Sequence, residues 1–216
     1  MIQVFQESTQ PVERFSLPES PSNLQSAPVI IRTALQEATT VLNTAGVENA
    51  AANAEWLMAE VLGCPRPELP LHWPETLEAT QIQRWQSLLA GRVDRIPLQH
   101  LLGTAEFCGL VFEINSSVLV PRPETELLAE AAWAVAAIKE ESVVLDIGTG
   151  SGCLAVSVAV HAGETTIHAL DISSAAINVA RANAERHGVA ERIIFHEGDA
   201  RVALPGTCLF DVIVSN

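Results

Sequence analysis

Positive charge is scarce in this chain. Its 216 residues include 12 Lys and Arg against 26 Asp and Glu, which gives a formal net charge of −14, and Lys139 is the sole lysine. A negatively charged surface repels a phosphate backbone, and no cluster of basic residues along the sequence offsets this repulsion. We therefore expect no direct nucleic-acid partner.

Long apolar runs and export signals are missing as well. No apolar run approaches the ~20 residues that a bilayer-spanning helix requires. The N-terminus has neither a basic start nor the apolar core of a secretion signal. The cysteines, Cys64, Cys108, Cys153 and Cys208, do not have the spacing of metal ligands. These absences predict a cytoplasmic protein with reduced thiols, no membrane contact and no metal.

The N-terminal half divides into a leader and a helical segment. Residues 1–27 are rich in Pro, Ser and Gln and have no sustained apolar period, which predicts a disordered leader. Residues 28–103 carry apolar residues at helical spacing, which predicts a small helical domain. Its helices are expected before Gly46, over roughly 49–62 and over roughly 78–92.

In the remaining residues, the spacing of apolar side chains along the sequence changes. Residues 104–120 alternate around Gly109, which predicts a β-hairpin linker. In residues 121–216, a helix beginning at Glu124 or Thr125 carries apolar side chains on one face, namely Leu127, Leu128, Ala131, Val135 and Ile138. Apolar strands near 143–147, 166–170, 192–196 and 211–215 then alternate with helices. This order predicts an α/β domain with a Rossmann-like parallel sheet covered on both faces.

A glycine-rich turn follows the first predicted strand. The strand ends near Asp146 and leads into an alanine-rich helix through Gly148, Thr149, Gly150, Ser151 and Gly152. Backbone N–H groups and the helix dipole at such a turn form a cradle that suits an anionic group. Asp146 would either hold the turn or approach an amino group of the ligand. Because Cys153 stands where a dinucleotide fingerprint has its third glycine, that fingerprint is not matched.

Two acids follow later strands. Ligands of open α/β sheets bind outside the carboxyl ends of the strands. Asp171 ends the second strand and could accept the hydroxyls of a ribose, as the acid of dinucleotide folds does. A helix N-cap is the other interpretation of Asp171, but Ser173 and Ser174 already suit that role. Asp199 follows the third strand and could accept the amine of an adenine, or only form a turn.

Several motifs in order resemble one family. They are Arg95-Ile-Pro-Leu-Gln-His-Leu-Leu-Gly103, Glu106-Phe-Cys-Gly-Leu110, Val118-Leu-Val-Pro-Arg-Pro-Glu-Thr-Glu126, Leu145-Asp-Ile-Gly-Thr-Gly-Ser-Gly152, Asp171-Ile-Ser and Phe210-Asp-Val-Ile-Val-Ser-Asn216. From about residue 29 onward the chain resembles the release factor glutamine methyltransferases, the HemK or PrmC type. The resemblance implies a class I methyltransferase sheet, truncated at its C-terminus, behind an N-terminal helical bundle.

The family's activity supplies the functional expectations. The resemblance implies methyl transfer from S-adenosylmethionine to the glutamine amide of the Gly-Gly-Gln motif in peptide chain release factors. It implies that the helical domain docks the release factor, and we expect a monomer. Donor-site residues by position are Asp146, Gly148, Thr149, Gly150, Ser151, Gly152, Asp171, Asp199 and Asn216. Arg122, Glu124, Thr125 and Asn216 are expected near the acceptor.

Asn216 matches the asparagine of the family's Asn-Pro-Pro-Tyr motif and is the expected catalytic residue. A carboxamide nitrogen is a poor nucleophile because its lone pair is delocalised into the carbonyl. The side-chain oxygen of Asn216 can accept an amide hydrogen and orient that nitrogen, so no general base is required.

The sequence stops at Asn216, before the rest of this motif. We therefore expect a fragment with four strands, an uncovered edge strand and little or no activity. Two alternatives stay open. One is an amino-methyltransferase for another acceptor, either adenine or another protein. The other is a non-catalytic fragment that binds release factors.

Overall fold

The computed structural model describes residues 28–202, 204 and 209–216. The expectations for the leader at residues 1–27 and for Cys208 lie outside the described residues. Within them, no helix is both long enough and apolar enough to cross a membrane.

The N-terminal segment is helical. Its helices are α1 (Ile31–Thr44), α2 (Ala50–Leu62), the short α3 (Leu69–His72), α4 (Ala79–Val93) and the short α5 (Leu98–Leu102). A capping box between Glu78 and Gln81 begins α4, because each side chain accepts from the backbone of the other. Apolar side chains of these helices form one buried cluster that includes Leu42, Leu57 and Trp85. Trp56, the neighbour of Leu57 on α2, is 44% exposed.

The predicted β-hairpin is present. Strands β1 (Thr104–Phe107) and β2 (Leu110–Glu113) are antiparallel, with Phe107 paired to Leu110. The two turn residues, Cys108 and Gly109, have φ values of 51° and 72°. Two successive left-handed residues match the right-handed twist of the flanking strands, which explains the glycine in this turn. Glu126 accepts a hydrogen bond from the Cys108 backbone at 2.8 Å and so fixes the turn against the next helix.

The C-terminal segment alternates helices and strands as predicted. Its elements are α6 (Pro123–Ala136), β3 (Val143–Ile147), α7 (Cys153–His161), β4 (Thr166–Asp171), α8 (Ser174–Arg186), β5 (Ile193–Glu197) and β6 (Val212–Ser215). The four strands form a parallel sheet in the order β5-β4-β3-β6. The predicted fold class, α/β with a parallel sheet behind N-terminal helices, is confirmed.

Within the described residues, the helices cover one face of this sheet, not two. Val144, Ile167, Ile193 and Val214 point into the core that α6, α7 and α8 share. The opposite face includes Ile194 and Ile213, which are 46% and 55% exposed. The apolar strands predicted burial on both faces, but a strand pattern does not specify which helices reach the sheet.

Helix α6 differs from its prediction in two ways. It begins at Pro123, ahead of Glu124, because proline at the first helical position loses no intrahelical hydrogen bond. Its buried face consists of Thr125, Ala129, Ala132 and Ala136. Leu127, Val135 and Ile138 are 70%, 52% and 83% exposed, so the larger apolar side chains do not form the buried face.

Candidate active site

The strand order places a crevice between two parallel strands. The chain runs from β3 through β4 to β5 on one side, and β6 then pairs with β3 on the other. This reversal is the position at which open α/β sheets bind their ligands. Ile147 and Ser215 are paired at the carboxyl end, where the Ser215 hydroxyl donates to the Ile147 carbonyl at 3.0 Å. Gly148 and Asn216, the next residues of each strand, therefore lie side by side.

The glycine loop, residues 148–152, is held mainly by its own neighbours. The amides of Gly148 and Thr149 donate to the Leu170 carbonyl at 2.8 and 3.0 Å, and Gly152 donates to Thr149 at 2.8 Å. Gly150 donates to Asp171 Oδ2 at 2.9 Å. These amides are already engaged, which differs from the cradle of free donors that the sequence predicts. Ser151 and the first turn of α7 remain as the backbone donors that a ligand could use.

Asp171 connects the loop to the start of α8. Its Oδ1 accepts from the Ser173 amide at 2.9 Å, while Oδ2 accepts from Gly150. The N-cap of α8 is Ser173, whose hydroxyl accepts from the Ala176 amide. Asp171 is therefore not needed as the cap, and its carboxylate lies at the carboxyl end of β4 facing the loop.

Asp146 lies beneath the loop. It is 1% exposed, and its Oδ2 accepts from the Thr149 hydroxyl at 2.7 Å. Its Oδ1 has no hydrogen-bond partner among the described residues. Burial raises the pKa of this carboxyl to about 6, and the negative charge of Asp171 acts in the same direction. Of the two roles predicted for Asp146, holding the turn is the one that the geometry displays.

A cavity of about 200 Å³ opens at this edge of the sheet. The predicted residues that line it are Thr125, Gly148, Thr149, Gly150, Ser151, Asp171 and Asn216. They come from the start of α6 and from the ends of β3, β4 and β6, so the fold brings together residues that are far apart in sequence. Asp171 is the only charged side chain among the described lining residues.

Other predicted residues lie away from the cavity. Arg122 and Glu124 are exposed on the first turn of α6 and do not line it. Gly152 lies behind the loop, where an added Cβ would be 3.0 Å from the Ala180 Cβ. Asp199 is outside the cavity too, and Arg201 pairs with it through distances of 2.9 and 2.6 Å.

The sequence reasoning missed part of the lining. Ser117, Val118, Leu119 and Val120 form one wall, although the hairpin linker carried no ligand expectation. This stretch has no periodic pattern, and Pro121 indicates only that the residue before it is extended. Cys153, Leu154, Ser173 and Ala176 complete the lining from the first turns of α7 and α8.

The fold and the site together define a class. A glycine loop after the first strand of a parallel sheet, an acid after the second and a polar residue at the switch point form a Rossmann-like domain of the class that binds nucleotide cofactors. A family model described as "Ribosomal protein L11 methyltransferase (PrmA)" matches residues 126–216. One described as "PrmC N-terminal domain" matches residues 33–103.

Curated proteins are similar to most of the chain. A release factor glutamine methyltransferase of Geobacter sulfurreducens is 42% identical over 79% of this chain and 58% of that protein. The one of Mycolicibacterium smegmatis is 39% identical over 86% of this chain and 65% of that protein. Over most of its length the chain is similar to release factor glutamine methyltransferases, the family that its motifs resemble. It spans about 58–65% of the length of these relatives.

Solved structures are similar to part of the chain. A SAM-dependent methyltransferase from Thiobacillus denitrificans, in complex with S-adenosyl-L-homocysteine, is 26% identical with a TM-score of 0.37. The match covers 44% of this chain and 36% of that one.

Proposed function

We propose that this protein transfers a methyl group from S-adenosylmethionine to the side-chain amide nitrogen of the glutamine in the Gly-Gly-Gln motif of peptide chain release factors. Its relatives carry the name release factor glutamine methyltransferase. The observation that carries the proposal is the position of Asn216 beside the glycine loop, in the same cavity as Asp171.

The residues of the cavity fit the donor. Gly148 and Gly150 have φ values of +74° and +55°, and the space where a Cβ would stand holds no atom closer than 3.9 Å. A ligand can therefore approach this backbone closely, because glycine adopts such φ values at little cost and has no Cβ in the way. Asp171 can accept ribose hydroxyls through lone pairs that its two amide bonds leave free.

Charge also favours this donor over a dinucleotide. S-adenosylmethionine is a sulfonium cation that supplies an activated methyl group. The described lining of the cavity has no basic side chain, and Asp146 lies directly beneath it. A pyrophosphate would meet two carboxylates without a counter-charge, whereas a cation is attracted to them.

Asn216 orients the acceptor in this proposal. Its side-chain oxygen accepts a hydrogen from the substrate carboxamide, which holds that nitrogen with its lone pair towards the reacting methyl group. Alignment of this kind contributes several kcal/mol to catalysis without a base, since the cost of ordering the reactants is already met on binding. Thr125, 5% exposed at the rim of the cavity, is placed to contact the same substrate.

The helical segment, residues 28–103, is the proposed docking surface for the release factor. It forms its own buried cluster, so it can present a rigid surface beside the cavity. The hairpin joins it to the cofactor domain, and Ile114 donates to the Gly103 carbonyl at 2.9 Å across that junction.

Methyl transfer to defined acceptors tests the proposal. The full-length gene product is incubated with S-adenosylmethionine carrying a labelled methyl group and a bacterial release factor, and label on the factor is counted. We expect label on the wild-type factor and none on a variant in which Gly-Gly-Gln becomes Gly-Gly-Ala. Asn216→Ala should bind the donor with little change and lose most of the transfer. Label on the Gly-Gly-Ala factor would overturn the assignment of the glutamine.

A different protein acceptor is the second candidate. The match of residues 126–216 to a model described as a ribosomal protein L11 methyltransferase favours it. Adding ribosomal protein L11 as a parallel acceptor distinguishes the two. Label on L11 and none on the release factor would favour this candidate.

A further inference from the structure

A buried amide on α8 joins the glycine loop to the hairpin. Asn183 is 0% exposed. Its Nδ2 donates to the Ser151 carbonyl and to the Glu113 carbonyl, both at 2.9 Å. Its Oδ1 accepts from the Glu113 amide at 2.7 Å. One side chain therefore satisfies both backbone groups of a β2 residue and one carbonyl of the loop.

The loop is supported from two directions. On the β4 side, the Leu170 carbonyl and the Asp171 carboxylate accept its amides. On the α8 side, Gly152 lies against Ala180 so closely that a Cβ would come within 3.0 Å. Asn183 lies one helical turn beyond Ala180 and supplies the hydrogen bond to the loop on that side.

The hairpin contacts α8 through the same region. Arg186 Nη1 is 2.6 Å from Glu113 Oε1, and His187 Nε2 is 2.9 Å from the Val111 carbonyl. These two contacts hold the hairpin without reaching the loop. Among the residues that the structure describes, Asn183 alone forms hydrogen bonds with both the loop and β2, so it fixes the position of the loop relative to β2.

We propose that Asn183 is a positioning residue for the donor site, an inference that rests on the proposed function. By accepting its hydrogen bond, the Ser151 carbonyl fixes the Ser151–Gly152 peptide. That peptide connects Ser151, which lines the cavity, to the first turn of α7. Without the N–H donor of Asn183, the buried Ser151 carbonyl loses its hydrogen-bond partner, and the peptide can rotate to find another. The loop then no longer presents one fixed surface to the ligand, and affinity falls.

Asn183→Asp tests this role with minimal change of shape. The carboxylate can still accept from the Glu113 amide but cannot donate to the Ser151 carbonyl or to the Glu113 carbonyl. We expect the Kd for S-adenosylhomocysteine, measured by calorimetry at a temperature where the variant is folded, to rise roughly tenfold or more. In the ligand-free protein, hydrogen exchange of the loop amides should become faster by a similar factor. Asn183→Ser, which is too short to reach both partners, replaces it if the aspartate variant does not fold.

Two variants serve as matched controls. Arg186→Gln removes the exposed ion pair to Glu113 and leaves the loop bond intact. Val189→Ala removes two methyl groups from the same core, where Val189 is 5% exposed, and so lowers stability without touching the loop. Both should keep the Kd within twofold of wild type.

The possible outcomes distinguish failure of the Asn183 proposal from failure of the proposed function. If Asn183→Asp binds as wild type does, or if its loop exchange is no faster than that of Val189→Ala, the positioning role is refuted. If wild type itself fails to bind S-adenosylhomocysteine, the proposed function fails. The exchange measurement still decides whether Asn183 fixes the loop in that case.

Discussion

Asp146 accepts a hydrogen bond from the loop, and ionisation of its buried carboxyl lowers the free energy of unfolding by an amount that depends on pH. Its carboxyl is buried, and its pKa is raised from 3.8 to about 6. The native state therefore holds this proton more tightly than the unfolded state does. As pH rises from about 4 to about 6, the native carboxyl must ionise in a buried place, and the free energy of unfolding falls.

The size of this effect follows from the pKa difference. A difference of about 2 pKa units corresponds to about 3 kcal/mol, since each unit contributes 1.36 kcal/mol. The loss is complete above about pH 6 and is absent below about pH 4. Asp146→Asn keeps the acceptor for the Thr149 hydroxyl but cannot ionise, so its unfolding free energy should lack this decline.

Urea unfolding of ligand-free wild type and Asp146→Asn at several pH values between 4 and 7.5 checks the prediction. The difference between the two proteins is the relevant quantity, because other groups titrate equally in both. We expect wild type to lose about 3 kcal/mol relative to the variant over this range. A difference that does not vary with pH would refute the buried, ionising carboxyl. A saturating cationic donor should reduce the wild-type loss, because it favours the charged form.

Three further predictions concern other parts of the structure. Gly152→Ala should destabilise the protein by about 1–3 kcal/mol in urea unfolding, because its Cβ would meet Ala180 and its φ is +78°; unchanged stability would contradict the tight contact. Leu42→Ala, at a fully buried position, should cost about 2–5 kcal/mol, whereas Val41→Ala at a 41% exposed position should cost far less. Alkylation of Cys153 at pH 8 should be slow, since burial raises the pKa of its thiol to about 12, and labelling as fast as that of a free thiol would contradict this.

Local patterns were sufficient for the sheet and for the residues at its edge. β-Branched runs predicted β3 to β6, and the N-cap of α8 is Ser173, one of the two serines expected there. Gly148, Asp171 and Asn216 could be expected together because the carboxyl ends of parallel strands share one edge. Their common cavity requires only the strand order and no detail of side-chain packing.

Long-range packing decided what the patterns could not. The exposure of Leu127 and Val135 on α6 depends on which elements approach that helix, not on its own period. The hydrogen bonds from the Gly148 and Thr149 amides to the Leu170 carbonyl are long-range contacts that no spacing in the sequence indicates. The burial of Asn183 could not be predicted either, because an asparagine inside a helix is typical of an exposed position and the sequence does not show its hydrogen-bond partners.

Binding of S-adenosylhomocysteine to wild type and to Asp171→Asn tests the donor site most directly. We expect wild type to bind one equivalent in a calorimetric titration. Asp171→Asn should bind roughly tenfold or more weakly, because the carboxylate that would hold the ribose is lost and the bond to Gly150 is weakened. Absence of heat with wild type, or equal affinity of the two proteins, would contradict the placement of the donor at the ends of β3 and β4.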